Sequence, residues 1–189
     1  MNESISDGHL TDFERAGRIT ASVVGAILWI DPYHSRKWAW RVITGREPER
    51  ASFDMARGKE FEKDAISCVE STLGVLCDDG RFVCHPTITW LGASPDAVFL
   101  QDNFEIPVEV KCPRKIHDFV PDMYYAQMQV QMQCMGAPYG YFGSWVDGKC
   151  WVTTVGRDEP WWSEKFPIIE EFYFEYVAKD IEPPRKLRK

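Results

Sequence analysis

The sequence predicts a mixed α/β (α+β) fold: helices first, then a central mixed β-sheet flanked by helices. Three observations carry this reading. The chain has 189 residues, 44% hydrophobic and 14% aromatic, with no repeat or linker dividing it, so a single domain over 1–189 with a real core is expected. A helical stripe comes before the strand signals: Glu62, Ile66, Val69 and Leu73 recur at spacings of four, three and four. Short β-type runs follow, punctuated by the turn signals Gln101-Asp102-Asn103-Phe104 and Asp147-Gly148.

The elements follow in order. A first helix is expected from about Ile19, with Thr20 and Ser22 as capping types ahead of Val23-Val24-Gly25-Ala26-Ile27-Leu28, and Asp31-Pro32 ending it. A second spans about His34 to Ile43 and is closed by Gly45; a third runs from about Asp54 to Leu73. Strands are expected over Arg81 to His85, Thr87 to Ala93, Ala97 to Leu100, Pro107 to Lys111, Tyr139 to Trp145 and Lys149 to Val155, with a last helix from Trp161 to about Lys179. Gln127 to Cys134 alternates strictly, which suits a strand, but Gln and Met favour a helix. With Asp118 and Pro121-Asp122 as a start signal, the helix is preferred.

Bulk properties exclude several classes. No apolar run approaches the roughly 20 residues that cross a bilayer, and Met1 to Leu10 is polar and acidic rather than a signal peptide, so a cytoplasmic protein without membrane association is expected. The six cysteines form no CxxC pair, which excludes the usual zinc and iron–sulfur patterns. In that compartment they are expected to be reduced thiols, mostly filling the core. His9, His34, His85 and His117 show no metal-ligand spacing. The net charge of −7 argues against nucleic-acid binding, although a loaded acidic metal site becomes locally positive and charge distribution outweighs the sum. The basic tail from about 183 to 189 reads as a solvated end or as an arm that touches phosphate.

One constellation carries chemistry. Asp96, in Ser94-Pro95-Asp96, is followed thirteen residues later by Glu109 and then by Lys111. On a strand, Glu109 and Lys111 share a face and Val108 and Val110 the other. Alone this could be an amphipathic edge strand. With Asp96 on a neighbouring strand, the two carboxylates can meet at a Mg²⁺ ion, which takes oxygen ligands. Next to a bound metal, Lys111 can act as a base or orient the attacking water. Glu62 sits on the apolar stripe of the third helix, where a carboxylate must be salt-bridged or metal-bound; Glu60 falls on the polar side. Arg15, with Thr20 and Ser22 at a helix start, could receive a phosphate or simply cap the helix. Trp38 and Trp40 lie two apart on a helix, so at least one could be free to stack on a base, with core or oligomer packing the alternative.

The chain resembles the phage lambda exonuclease type of alkaline exonuclease, grouped with YqaJ-like viral recombinases in the PD-(D/E)xK nuclease superfamily. The matching segments lie over about residues 13–145. They are Arg15 with Gly17 to Ser22, Gly58-Lys59-Glu60-Phe61-Glu62 with Asp64-Ala65, Ser94-Pro95-Asp96, Glu109-Val110-Lys111-Cys112-Pro113, and Tyr125-Ala126-Gln127-Met128-Gln129. The resemblance implies a restriction-endonuclease-like core and Mg²⁺, or Mn²⁺, held by Asp96, Glu109 and the Val110 carbonyl. Lys111 would activate the water, Glu62 would serve the second metal or its waters, and Gln127 would contact the nucleophile or scissile phosphate. Arg15 and Ser22 would hold the 5′-phosphate. It further implies a phage- or prophage-type enzyme that digests double-stranded DNA ends from 5′ to 3′, leaves 3′ overhangs for recombination, partners a single-strand annealing protein and forms a homo-oligomer, with a ring-shaped trimer as the family form. An endonuclease on the same core and a non-catalytic DNA-end-binding module are the alternatives.

Overall fold

The computed structural model describes residues 15–46 and 53–184, with the side chains of 53–55 left out. Its elements in chain order are β1 (Ile19–Thr20), a 3₁₀ turn (Ala21–Val23), α1 (Val24–Ile27), α2 (Arg36–Ile43), α3 (Phe53–Leu73), β2 (Asp78–Asp79), β3 (Val83–Cys84), β4 (Leu91–Ala93), β5 (Ala97–Gln101), β6 (Phe104–Lys111), α4 (Asp122–Met135), β7 (Tyr139–Val146), β8 (Lys149–Gly156) and α5 (Glu159–Phe172), which runs into a π-helical segment, Tyr173–Val177. The expected mixed sheet flanked by helices is present. A five-stranded sheet has the order β2-β5-β6-β7-β8, and a three-stranded one has the order β1-β4-β3.

The β5–β6 hairpin closes through Asp102 and Asn103, both at positive φ, a backbone state in which Asn and Asp are enriched. That turn fixes the register at Ala97↔Val108. β6 then pairs parallel with β7, and α4 supplies the crossover that parallel neighbours require. Gly143 on β7 faces Val69 of α3 and Val110 of β6; a Cβ there would lie 2.7 Å from Val69. Val110 therefore faces α3, and Glu109, of opposite parity, faces α4.

α4 settles the alternating segment as a helix. Residues 126 to 132 are all buried. Ala126, Val130 and Cys134 join a core formed with β1, α1, α2 and the Ile169–Phe172 end of α5. Met128 and Met132 join a second core with Ala65 and Val69 of α3 and the sheet. The buried amides in this helix are tolerable because each NH₂ group donates to a partner. Gln129 donates to the Gly156 carbonyl and accepts from the Asp158 N–H.

Four expectations need correction. The first helix does not begin at Ile19. The Ile19 N–H donates to the Trp90 carbonyl, and β1 pairs in parallel with β4, which holds that stretch extended. The strand expected over Thr87 to Ala93 shrinks to Leu91–Ala93, because the His85 ring nitrogen accepts the Thr87 and Ile88 N–H groups and turns the chain. The thiols are not all reduced: Cys68 on α3 and Cys150 on β8 form a disulfide. Finally, Trp40 is only 6% exposed and its indole N–H donates to the Tyr176 carbonyl, so it belongs to the core rather than to a DNA surface. Met1 to Leu10 and the tail from 185 onward lie outside the described residues.

Candidate active site

The hairpin brings the acids together. β5 ends its pairing at Ala97↔Val108, so Asp96 sits one step beyond, at the end of the hairpin where β6 carries Glu109 to Lys111. Without a strand neighbour there, the Val110 N–H donates instead to the Asp96 carboxylate at 2.7 Å. Glu109 is fully buried. Its Oε1 accepts from the Lys111 ammonium and, at 2.6 Å, from Gln127 Nε2; its Oε2 accepts from Gln131 Nε2, also at 2.6 Å. The Tyr124 ring lies 5.1 Å from the Lys111 ammonium and walls the same face.

The electrostatics follow from this crowding. Burial, then the charge of Glu109, pushes the Asp96 carboxyl up to about 8, with Lys111 and the Val110 N–H pulling the other way. Burial works against the Lys111 ammonium, but Glu109 and Asp96 outweigh it and hold Lys111 above its ordinary value. Two acids crowded together, with the charge of Glu109 raising Asp96, form a donor set that suits a small divalent cation. The carboxylates of Asp96 and Glu109 fit that requirement. The structure puts Lys111 in the opposite state to the one expected beside a metal: with only carboxylates around it, its ammonium is stabilised.

Glu62 is half-buried on α3. Because α3 covers the Val110 face, Glu62 approaches from the side opposite Gln127 and Gln131, and its charge is felt at Asp96. Among the described residues no three His, Cys, Asp or Glu side chains converge as a ready metal cage. Glu60 is exposed, as its helical face predicts.

The amino-terminal residues form a second feature. Arg15, Arg18, Thr20, Ser22 and the Val42–Gly45 turn line a cleft of about 420 Å³. Neither Thr20 nor Ser22 caps a helix through its side chain; instead their hydroxyls meet at 3.2 Å at the cleft wall. The Gly17 N–H donates to the Ile43 carbonyl, closing the cleft's base. Arg15 and Ser22 are exposed. Trp38 is half-buried and stacked on His34 at 3.8 Å.

Reasoning from the sequence missed Gln131 and Tyr124. The signal for Gln131 was present: on a helix it lies four residues from Gln127, on the same face. Only the partner, Glu109, twenty-two residues upstream, shows what that face addresses.

The family model for the YqaJ-like viral recombinase domain matches residues 13–138. A comparison with curated proteins gives no match. Among solved structures, the chain is similar to an alkaline exonuclease (LHK-Exo) from Laribacter hongkongensis, at 26% identity and a TM-score of 0.74, covering 92% of this chain and 94% of that one. The same exonuclease in complex with dAMP gives a TM-score of 0.72. A phage-related exonuclease from Haemophilus somnus 129PT shares the fold, at 13% identity, a TM-score of 0.62 and coverage of 86% and 96% of the two chains. With its acids on the hairpin end, its amide-bearing crossover helix and a family match over most of its length, the chain belongs to the YqaJ-like viral recombinase domain family.

Proposed function

We propose that this chain is a divalent-cation-dependent deoxyribonuclease that digests linear double-stranded DNA from its 5′ ends and leaves single-stranded 3′ overhangs. The observation that carries this reading is the Asp96–Glu109–Lys111 cluster: two acids crowded enough to push Asp96 up to about 8, with an ammonium against them. Family membership and similarity to an alkaline exonuclease, also solved with dAMP, support DNA as the substrate.

Asp96, Glu109 and the Val110 carbonyl would hold the cation, with Mg²⁺ expected and Mn²⁺ a substitute; Glu62 would approach its waters from the other face of the sheet. A cation there supplies Lewis acidity toward the phosphate and makes a nearby water more acidic. The rest is the work of the chain's own residues. With the charges of Asp96 and Glu109 balanced, the Lys111 ammonium loses its two supports, and burial then favours the neutral amine. Lys111 accepts the proton of the attacking water as its oxygen bonds to phosphorus. The bond from phosphorus to the 3′-oxygen breaks, and that oxygen takes a proton from solvent. Gln127 fixes Glu109 and would contact the attacking water or the scissile phosphate. At the other feature, Arg15, Thr20 and Ser22 receive the terminal 5′-phosphate, which sets the register for cleavage from an end. The overhang produced is the substrate form for a single-strand annealing protein, and the family form is a homo-oligomer.

The test is digestion of linear duplexes with 5′-phosphate or 5′-hydroxyl ends beside a closed circle, with and without Mg²⁺. The expected result is cation-dependent release of nucleotides from the linear duplexes, fastest with a 5′-phosphate, and an intact circle. Cutting of the circle would indicate an endonuclease; no release from any substrate would indicate a DNA-end-binding module.

A further inference from the structure

Glu109 is held by three donors, and one of them, Gln131, has no place in the motifs that mark this site. Gln131 is fully buried, and its amide N–H group reaches Glu109 Oε2 at 2.6 Å. A carboxylate only accepts, so the amide must turn its NH₂ toward Glu109. Its own oxygen, Oε1, is then left buried with no partner among the described residues. A buried carbonyl without a hydrogen bond is costly, and such a group in a folded protein calls for a reason. The reason lies in the acceptor directions of Glu109. Oε1 already receives two donors, Lys111 and Gln127, which fills it. Among the described residues, Oε2 receives Gln131 alone. Of the roughly four acceptor directions on a carboxylate, the one left open therefore belongs to Oε2, and Gln131 fixes where it points.

We propose that Gln131 is a positioning residue: it locks the Glu109 carboxylate so that Oε2 is presented to the divalent cation. This rests on the reading of Asp96 and Glu109 as cation ligands and adds the residue that sets the second of them. Gln127 and Gln131, one helical turn apart on α4, thus hold the two oxygens of one carboxylate. Gln127 shares Oε1 with Lys111, and Gln131 aims Oε2. Gln129, between them in sequence, is equally buried but is spent on Gly156 and Asp158, away from the acids.

The experiment is calorimetric titration of the full chain with MnCl₂ and MgCl₂, in the absence of DNA, for the wild type, Gln131→Met and Gln129→Met. Methionine keeps the length and bulk of glutamine without its amide. Gln131→Met is expected to bind the cation about 10–100-fold more weakly, the usual loss when a ligand's hydrogen-bonding partner is removed. Gln129→Met is expected to lower thermal stability and leave cation affinity within about twofold. In cleavage assays the Gln131→Met defect should appear as a raised cation requirement and be relieved by high Mn²⁺. If Gln131→Met does not fold, Gln131→Asn keeps the amide but draws it back from Glu109, and carries the same expectation. Wild-type affinity in a folded Gln131 variant, or an equal loss in Gln129→Met, would overturn the proposal while leaving the nuclease reading standing. A wild-type chain that binds neither cation would overturn both.

Discussion

The acid cluster on β6 and the cleft beside β1 treat charge in opposite ways. Around Glu109 every donor is already committed: Lys111, Gln127 and Gln131 converge on one fully buried carboxylate, and Asp96 is neutralised by crowding unless something balances it. In the cleft, Arg15 and Ser22 are exposed and the Thr20 and Ser22 hydroxyls meet each other. A centre that must stabilise a transition state gains from groups fixed in advance in a dry site. A site that must capture and release a chain end gains from open groups whose contacts are weaker and exchangeable. The contrast separates cleavage from end recognition, and each can be disturbed without the other.

The largest effect is expected from Lys111→Ala, which removes the proton acceptor: cleavage of linear duplex should fall by about 10²–10⁴-fold, while gel-shift binding to duplex ends stays near wild type. A variant that cleaves normally would remove the catalytic half of the contrast. Next comes the Cys68–Cys150 disulfide, which ties α3 to β8 on the sheet side of the molecule. Cys150→Ser, or reduction, should lower unfolding stability by about 2–4 kcal/mol, as expected for closing a long loop. Chemical denaturation with and without reductant measures it, and preference for 5′-phosphate ends should not move. Arg15→Ala should lower the preference for 5′-phosphate over 5′-hydroxyl ends by about 10–100-fold, the value of one charge-assisted contact, without changing cation affinity; end-resolved digestion rates test this.

A further effect concerns pH. Asp96 rises from an ordinary 3.8 to about 8 on folding, so between these values the folded chain binds more protons than the unfolded one. Without divalent cation, this group's contribution to stability is present at low pH and is lost as the pH rises toward about 8. Cation affinity should rise over the same interval, as Asp96 becomes available. Thermal melts at pH 5 and pH 9, with and without MgCl₂, test both signs. A metal-free chain that is unchanged between them would mean that Asp96 is less crowded than its geometry implies.

Much of this molecule was legible in the chain itself. The 62-66-69-73 stripe gave the long helix and put Glu62, not Glu60, on the inward side, because a 3.6-residue period leaves little freedom about which face is buried. The Asp102-Asn103 and Asp147-Gly148 signals gave both hairpins, since few residues adopt positive φ readily. Spacing alone placed Asp96, Glu109 and Lys111 together. The capping reading of Thr20 and Ser22 failed because a parallel pairing with Leu91 and Gly92, some seventy residues away, overrode the local preference. Trp40 failed as a DNA contact for a similar reason: its partner, Tyr176, lies 136 residues on.

What the sequence determined by itself is therefore what short-range physics controls: helical faces, turn positions, and which acidic and basic side chains a strand and its neighbour can present together. Only the tertiary structure decided which opposite faces meet. It set α4 across the Glu109 side of the sheet and α3 across the Val110 side, paired Cys68 with Cys150, and turned Gln131 from one glutamine in an alternating run into a donor for a buried carboxylate. Those outcomes depend on contacts between residues tens of positions apart, whose energy appears only once the sheet has chosen its order and the crossover helix has packed across it.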